Sequence, residues 1–220
     1  MPERDFISAL HKRTARNYLE RVERGDKAAC ASVAREFGRE YWDGDRKYGY
    51  GGMRYDGRWA PVARDLIAHY GLCNESHVLD VGCGKGFLLF EIKKCLPGCR
   101  VRGLDFSRYA VENAKPEVRG DLDLGLAQSL PYPDFTFDLV LSITTLHNLH
   151  IDDLAGALAE IERVKREHSY IVVESYRNER EKANLLHWQL TCECFFTPRE
   201  WEWVFRELGY AGDYSFIFFE

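Results

Sequence analysis

A short apolar strand, a glycine-dense turn and an apolar helix follow one another over residues 77–96, and this succession constrains the fold more than any other feature. His77-Val-Leu-Asp80-Val81 reads as a buried strand. Phe87 to Leu96 reads as a helix closed by Pro97-Gly98. Between them lies Gly82-Cys83-Gly84-Lys85-Gly86. Glycines in such a place let the backbone turn sharply and let a ligand touch the main chain. Arg100 to Leu104 is the next strand, and it ends at Asp105, nineteen residues beyond Gly86. An acid there can accept hydrogen bonds from both hydroxyls of a ribose. Strand, glycine turn, helix, strand and acid in this register mark a nucleoside site at the carboxyl ends of a doubly wound sheet.

The rest of the chain agrees with such a sheet. Ser107 caps a helix expected to run to Lys115 and to stop at Pro116. A weak strand follows near residues 121–126, then a strong apolar one from Phe137 to Ile143. Asp152 to Arg166 reads as a helix with Leu154, Leu158, Ile161 and Val164 on one face. Ser169 to Glu174 is a further apolar strand, Pro198 to Leu208 a helix, and Tyr214 to Phe219 a terminal strand. The span 177–197 has no single reading. Strands alternating with helices predict an α/β fold: a three-layer, doubly wound, mostly parallel sheet.

Ahead of this core, Phe6, Leu10, His11, Val22, Val33 and Phe37 recur at helical spacing, with a break at Gly25-Asp26. Residues 42–59 are unusual: Gly44, Gly49, Gly51, Gly52 and Gly57 are interleaved with Tyr48, Tyr50 and Tyr55. Pro61 opens a helix that carries Val62, Leu66, Ile67 and Tyr70 to Gly71. The chain therefore divides into an N-terminal helical extension with a Gly/Tyr-rich lid segment (1–60) and a core (61–220).

Two hundred and twenty residues suit one domain with an appended lobe. Apolar residues at 45% and charged residues at 30% exclude a disordered or fibrous chain. No apolar run approaches the roughly 20 residues that cross a bilayer. Glu3 and Asp5 stand where a signal peptide would have its apolar core, so a cytoplasmic location is expected. A net charge of −5 is a poor match for a phosphate backbone, so no nucleic acid partner is expected. Seven cysteines cannot form a complete disulfide framework. Cys95 and Cys99, and Cys192 and Cys194, do not share the matched spacing of a zinc site. They read as small buried apolar residues, Cys192 and Cys194 alternating along one strand face, and no metal is expected.

The glycine spacing narrows the nucleoside. A dinucleotide fingerprint needs a third glycine where this chain has Phe87, which argues against a nicotinamide or flavin dinucleotide. A phosphate loop would need glycine at Leu79 and serine or threonine at Gly86. Lys85 is accordingly read as a solvated side chain.

Asp80-Val-Gly-Cys-Gly-Lys-Gly86, the strand ending in Asp105, and Leu130-Pro-Tyr-Pro-Asp-Phe-Thr-Phe-Asp-Leu-Val140 together resemble the class I S-adenosylmethionine-dependent methyltransferases of the type 11 kind. The resemblance spans about residues 75–175. It implies a Rossmann-like, seven-stranded methyltransferase fold and S-adenosylmethionine as methyl donor. It places Asp80, Gly82, Cys83, Gly84 and Gly86 at the methionine and ribose, and Asp105 at the ribose hydroxyls. Phe106, Ala127 and Gln128 would surround the adenine. Ser142, Ile143 and Thr144 would floor the site near the sulfonium. This family usually ends in an antiparallel hairpin. Here a single clear strand precedes Glu220, so its partner lies within 190–197 or is missing.

Methyl transfer from a sulfonium is an in-line displacement that asks mainly for alignment and dryness, plus a base where the acceptor is a hydroxyl. Thr144-Thr-Leu-His147-Asn148-Leu-His150 follows the fourth strand, where the acceptor approaches in this family. His147 is the candidate base or acceptor contact, against the alternatives of a backbone-bonded or cofactor-packed ring. Asn148 is a neighbouring substrate contact, and His150 is structural or exposed. Enzymes of this kind that methylate base amines carry an Asn/Asp-Pro-Pro-aromatic run at this point, and this chain has no proline there. Tyr48 and Tyr50 could cover the sulfonium, and Arg54 or Arg58 could hold an anionic acceptor. Glu174 and Arg177 either orient the acceptor or pair with each other. Trp188, Trp201 and Trp203 read as packing residues, with His187-Trp188 able to cap the site. The expected activity is methyl transfer to an oxygen or nitrogen of a small polar or anionic metabolite, such as a sugar or cell-surface precursor. The rivals are a non-catalytic donor-binding protein or partner subunit, and a nicotinamide-linked oxidoreductase.

Overall fold

A computed structural model describes residues 2–12, 17–18 and 26–220. The expectations for Val22 and Gly25 fall outside these residues. Six strands form one sheet: β1 (His77–Val81), β2 (Arg100–Asp105), β3 (Leu122–Leu124), β4 (Phe137–Ile143), β5 (Lys165–Glu174) and β6 (Asp213–Ile217). Their order is β3-β2-β1-β4-β5-β6, and every pairing is parallel. Successive residues of one strand serve opposite faces. Val78 packs in one core cluster with Leu89 and Ile92, while Leu79 packs in the other with Leu158 and Ile161. A sheet covered on both faces explains why its strands are near-continuous apolar runs.

The helices in chain order are α1 (Ser8–His11), α2 (Lys27–Ala34), α3 (Arg39–Asp43), α4 (Ala60–Tyr70), α5 (Phe87–Cys95), α6 (Arg108–Glu112), α7 (Pro116–Arg119), α8 (Ile151–Val164), α9 (Glu179–Trp188) and α10 (Pro198–Glu207). Helices α4 and α5 cover one face of the sheet; α8 and α10 cover the other. α8 buries Leu154, Ala157, Leu158, Ile161 and Val164, one stripe at three- and four-residue spacing. α10 begins with a complete capping box between Thr197 and Glu200 and buries Trp201, Val204 and Phe205.

Four expectations change. The helix after Ser107 stops at Glu112, because Lys115 precedes a proline and is driven out of helical backbone; Pro116 instead opens α7. β5 starts at Lys165, directly after α8; its first residues are solvent-facing and carry no apolar signal. The ambiguous span 177–197 holds α9, capped by the Asn178 side chain, followed by irregular chain. Cys192 and Cys194 are buried there, but in no strand. Residues 190–197 therefore supply no hairpin partner, and β6 pairs with β5 in parallel, so the described residues form six strands where seven were implied. Pro2 to Arg4 lie along Tyr214 of β6, through an isolated bridge from Glu3 and a 2.8 Å bond from the Arg4 N–H. Among the described residues no helix is long and apolar enough to cross a membrane.

Candidate active site

The sheet reverses its winding between β1 and β4, and the carboxyl ends of these strands open the crevice in which doubly wound proteins bind ligands. The Ser142 hydroxyl, donating to the Val81 carbonyl at 3.0 Å, ties the two strands there. That bond, with complete burial, takes Ser142 out of the crevice floor where it was expected. Ile143 and Thr144 do line it. Thr144 has a φ of 55°, a costly conformation for a β-branched residue and one that gathers at functional sites.

The turn after β1 takes positive φ at Gly82, Gly84 and Gly86. A side chain on Gly82 would collide with Thr145. One on Gly84 would lie 3.0 Å from the ring of Trp42. Cys83 points the other way, its sulfur filling the space beside Gly103. Asp105 accepts from the Gly84 N–H at 2.7 Å and from the Ser107 N–H at 2.8 Å, so it holds the loop in shape. Burial pushes its carboxyl above the usual range, with these two N–H groups opposing.

Asp80 is enclosed beside it. Burial, and then the Asp105 charge, push its carboxyl up to about 7. Its Oδ1 is buried without a hydrogen-bond partner among the described residues. Such an orphaned acceptor fits an ammonium, the group that the methionine end of S-adenosylmethionine would present. Gln128 shows a similar feature. Gln128 donates to Asp153 at 2.9 Å, while its Oε1 is buried and unpartnered among the described residues. Ala127 is buried nearby, and Phe106 stands half-exposed against Phe37 at 4.8 Å. The residues present thus fit the donor that the loop implies.

Beyond the glycine loop lies a cavity of about 510 Å³ lined by Tyr41, Tyr50, Arg54, Arg58, Phe87, Thr144, His147, Asn148, Glu174, Trp188 and Gln189, among others. His147 and Glu174 meet on its floor. The His147 Nδ1 accepts the Glu174 N–H at 3.4 Å, and its Nε2 lies 3.4 Å from Glu174 Oε2. Burial lowers His147 to about 3, so the ring is neutral near pH 7. Gln189 donates to the same carboxylate, and Trp201 donates to the Glu174 carbonyl at 3.1 Å. The His147 carbonyl accepts from Glu193 at 2.9 Å and Cys194 at 3.0 Å, which brings the irregular 190s segment onto the site.

Several expected contacts lie elsewhere. Tyr48 packs with Cys30, Ala34 and Leu190 and does not itself line the cavity. Arg177 is bound to Glu181 at 2.5 Å and Glu220 at 2.7 Å, so it neither lines the cavity nor pairs with Glu174. Asn148 lines the cavity, but its amide donates to the carbonyls of Thr144 and Thr145, and its oxygen accepts from Thr191 at 2.8 Å. Arg58 is paired with Asp56 at 2.6 Å, while Arg54 reaches the rim. His150 is exposed and Trp201 buried, as expected, whereas Trp203 is solvent-facing and Trp188 forms cavity wall. Lys85 is not solvated: it is buried and ion-paired with Asp43 at 2.7 Å.

Gln189 and Thr191 could not be found by motif, because they sit in chain without periodicity. Tyr41 adjoins the Gly/Tyr-rich segment 42–59 and Trp42 opens it, and that position is the only sequence signal for them.

A family described as a methyltransferase domain matches residues 73–209. The chain belongs to the class I S-adenosylmethionine-dependent methyltransferases. It is 35% identical over 115 residues to a ubiquinone/menaquinone biosynthesis C-methyltransferase of Desulfotalea psychrophila, covering 51% of this chain and 45% of that protein. It is 34% identical over 107 residues to norajmaline N-methyltransferase of Rauvolfia serpentina, covering 46% and 36%. A S-adenosylmethionine-dependent methyltransferase structure from Archaeoglobus fulgidus shares the fold, with a TM-score of 0.57 at 21% identity over 73% of this chain and 70% of that one. The chain spans less than half the length of these two curated relatives.

Proposed function

We propose that this methyltransferase moves a methyl group from S-adenosylmethionine to an oxygen or nitrogen of a small polar molecule that carries an anionic group. The observation that supports this reading is the cavity beside the donor loop, with a carboxylate on its floor and Arg54 at its rim. The donor, when bound, supplies an activated methyl on sulfur. The acceptor's lone pair forms the new bond to carbon as the carbon–sulfur bond breaks and its electron pair stays on sulfur.

The chain's own residues then have two tasks. Tyr41, Tyr50, Trp188 and Phe219 exclude water and align the acceptor. Glu174 takes the acceptor's proton. His147, whose Nδ1 accepts the Glu174 N–H and whose Nε2 faces the carboxylate, holds Glu174 in place as a positioning residue. Burial makes His147 itself a weak base, which supports giving the proton to Glu174. A sugar or cell-surface precursor bearing a carboxylate or phosphate fits this cavity class. The relatives act on different acceptor atoms, carbon in one case and nitrogen in another, so family membership leaves the acceptor open.

The experiment is a screen of hydroxy acids, amino acids and sugar acids with purified protein and methyl-labelled donor, read as labelled product. Glu174→Gln should then lower turnover by about 10²–10⁴-fold while leaving S-adenosylhomocysteine affinity nearly unchanged. Turnover within a few-fold of wild type would reject Glu174 as the proton acceptor.

A further inference from the structure

Lys85 is the one charged residue in the glycine turn, and the turn's backbone shape has no use for it. Its side chain is 5% exposed. The ammonium donates to both oxygens of Asp43, each at 2.7 Å, and to the Met53 carbonyl at 3.0 Å. Tyr109 adds its hydroxyl to Asp43 at 2.8 Å, and its ring lies 5.8 Å from the ammonium. A buried ammonium held this fully has a directed set of partners, and all but Tyr109 come from one segment, residues 41–54.

That segment is a closed strap. The N–H groups of Gly52 and Met53 donate to the Trp42 carbonyl, and that of Tyr50 to the Tyr41 carbonyl. Lys85 therefore grips both ends of the strap at once, Asp43 at its start and Met53 at its finish. The two sides of the strap face different parts of the site. On one side, Trp42 lies on Gly84 and donates its indole N–H to the Ser107 hydroxyl at 2.8 Å. On the other, Tyr41, Tyr50, Gly52, Met53 and Arg54 line the cavity. Tyr50 stacks on Trp42 at 5.3 Å, joining the two sides.

We propose that Lys85 is a positioning residue that latches the strap to the donor loop, so that the acceptor wall is in place only over a correctly shaped donor loop and the donor leaves only when the strap lifts. The proposal rests on the donor site assigned above. It makes Asp43, Trp42 and Lys85 one unit, and it accounts for a lysine in a turn whose geometry asks only for glycine.

Hydrogen exchange of the donor-free protein reads the latch directly. In Lys85→Met and in Asp43→Asn the amides of Tyr50, Gly52 and Met53 should exchange about ten-fold faster or more, while those of α8 stay as in wild type. Bound S-adenosylhomocysteine, chased with excess donor, should leave both variants about ten-fold faster. The double variant should match the single ones, since both break the same pair. Unchanged strap protection in a folded Lys85→Met protein would overturn the latch, as would additive effects in the double variant. Asp43, partly exposed, carries the same test where Lys85→Met does not fold. Failure of wild type to bind S-adenosylhomocysteine would count against the donor reading, whereas the exchange comparison, made without donor, decides the latch by itself.

Discussion

Asp80 shows how much chemistry one enclosed carboxylate holds. Burial and the Asp105 charge push it up to about 7, and its Oδ1 is unpartnered among the described residues. A donor ammonium placed against it favours the charged form and lowers that value. Binding below pH 7 then releases a proton, and affinity rises as the pH climbs to about 7, by up to about ten-fold per unit. In the donor-free protein the folded chain keeps this proton to a higher pH than the unfolded chain does. Its stabilising contribution is therefore full below the ordinary carboxylate range and is lost as pH rises to about 7. Titration with S-adenosylhomocysteine in buffers of different ionisation enthalpy measures the released proton. Asp80→Asn should flatten the pH profile, and a wild-type affinity independent of pH would refute the assignment. The sequence motif pointed to Asp80 and Asp105. It could not tell that Asp105 also anchors Gly84 and Ser107, because those bonds depend on the folded turn. Lys85 looks solvated in the sequence for a related reason: its partners, Asp43 and Met53, lie far back in the chain.

Among the elements, the well-read ones carry their signals locally. α10 has its cap, its proline and its apolar stripe within eleven residues, and β4 has an unbroken apolar run. The Thr197 cap is partly exposed and self-contained, so Thr197→Ala should cost about 1 kcal/mol of stability with little effect on donor binding. Urea denaturation of the two proteins checks this; an unchanged midpoint would show that packing of Trp201 and Phe205 alone holds the helix. The poorly read elements lack such signals. The start of β5 is polar because it faces water, and α9 has a weak apolar stripe, yet α9 places Trp188 and leads into Gln189 at the cavity. The missing hairpin is a question of pairing. Tyr214 to Ile217 reads as a strand in either direction, and only its neighbour β5 decides that it runs parallel.

For the whole molecule, the proposed site joins the carboxyl ends of β1, β2, β4 and β5 to a strap and to an irregular segment near residue 190. A ligand that touches all of them should stabilise the molecule as a unit. At about 100 times its dissociation constant, S-adenosylhomocysteine should add about 2.7 kcal/mol. For a chain of this size that corresponds to a rise in melting temperature of roughly 5–10 °C. A thermal melt with and without it tests this, and no shift at saturation would separate the glycine loop from donor binding. The sequence alone determined the alternating layers, the order of glycine turn and acid, and hence the family. Those features rest on period, turn chemistry and spacing, which act between neighbours in the chain. Tertiary structure alone decided that Glu174 and His147 meet, that Tyr48 and Arg177 stay out of the cavity while Tyr50 and Trp188 enter it, and that Lys85 is buried under a strap. These are contacts between residues far apart in sequence, set by how helices and loops close over the sheet, and no local pattern encodes them.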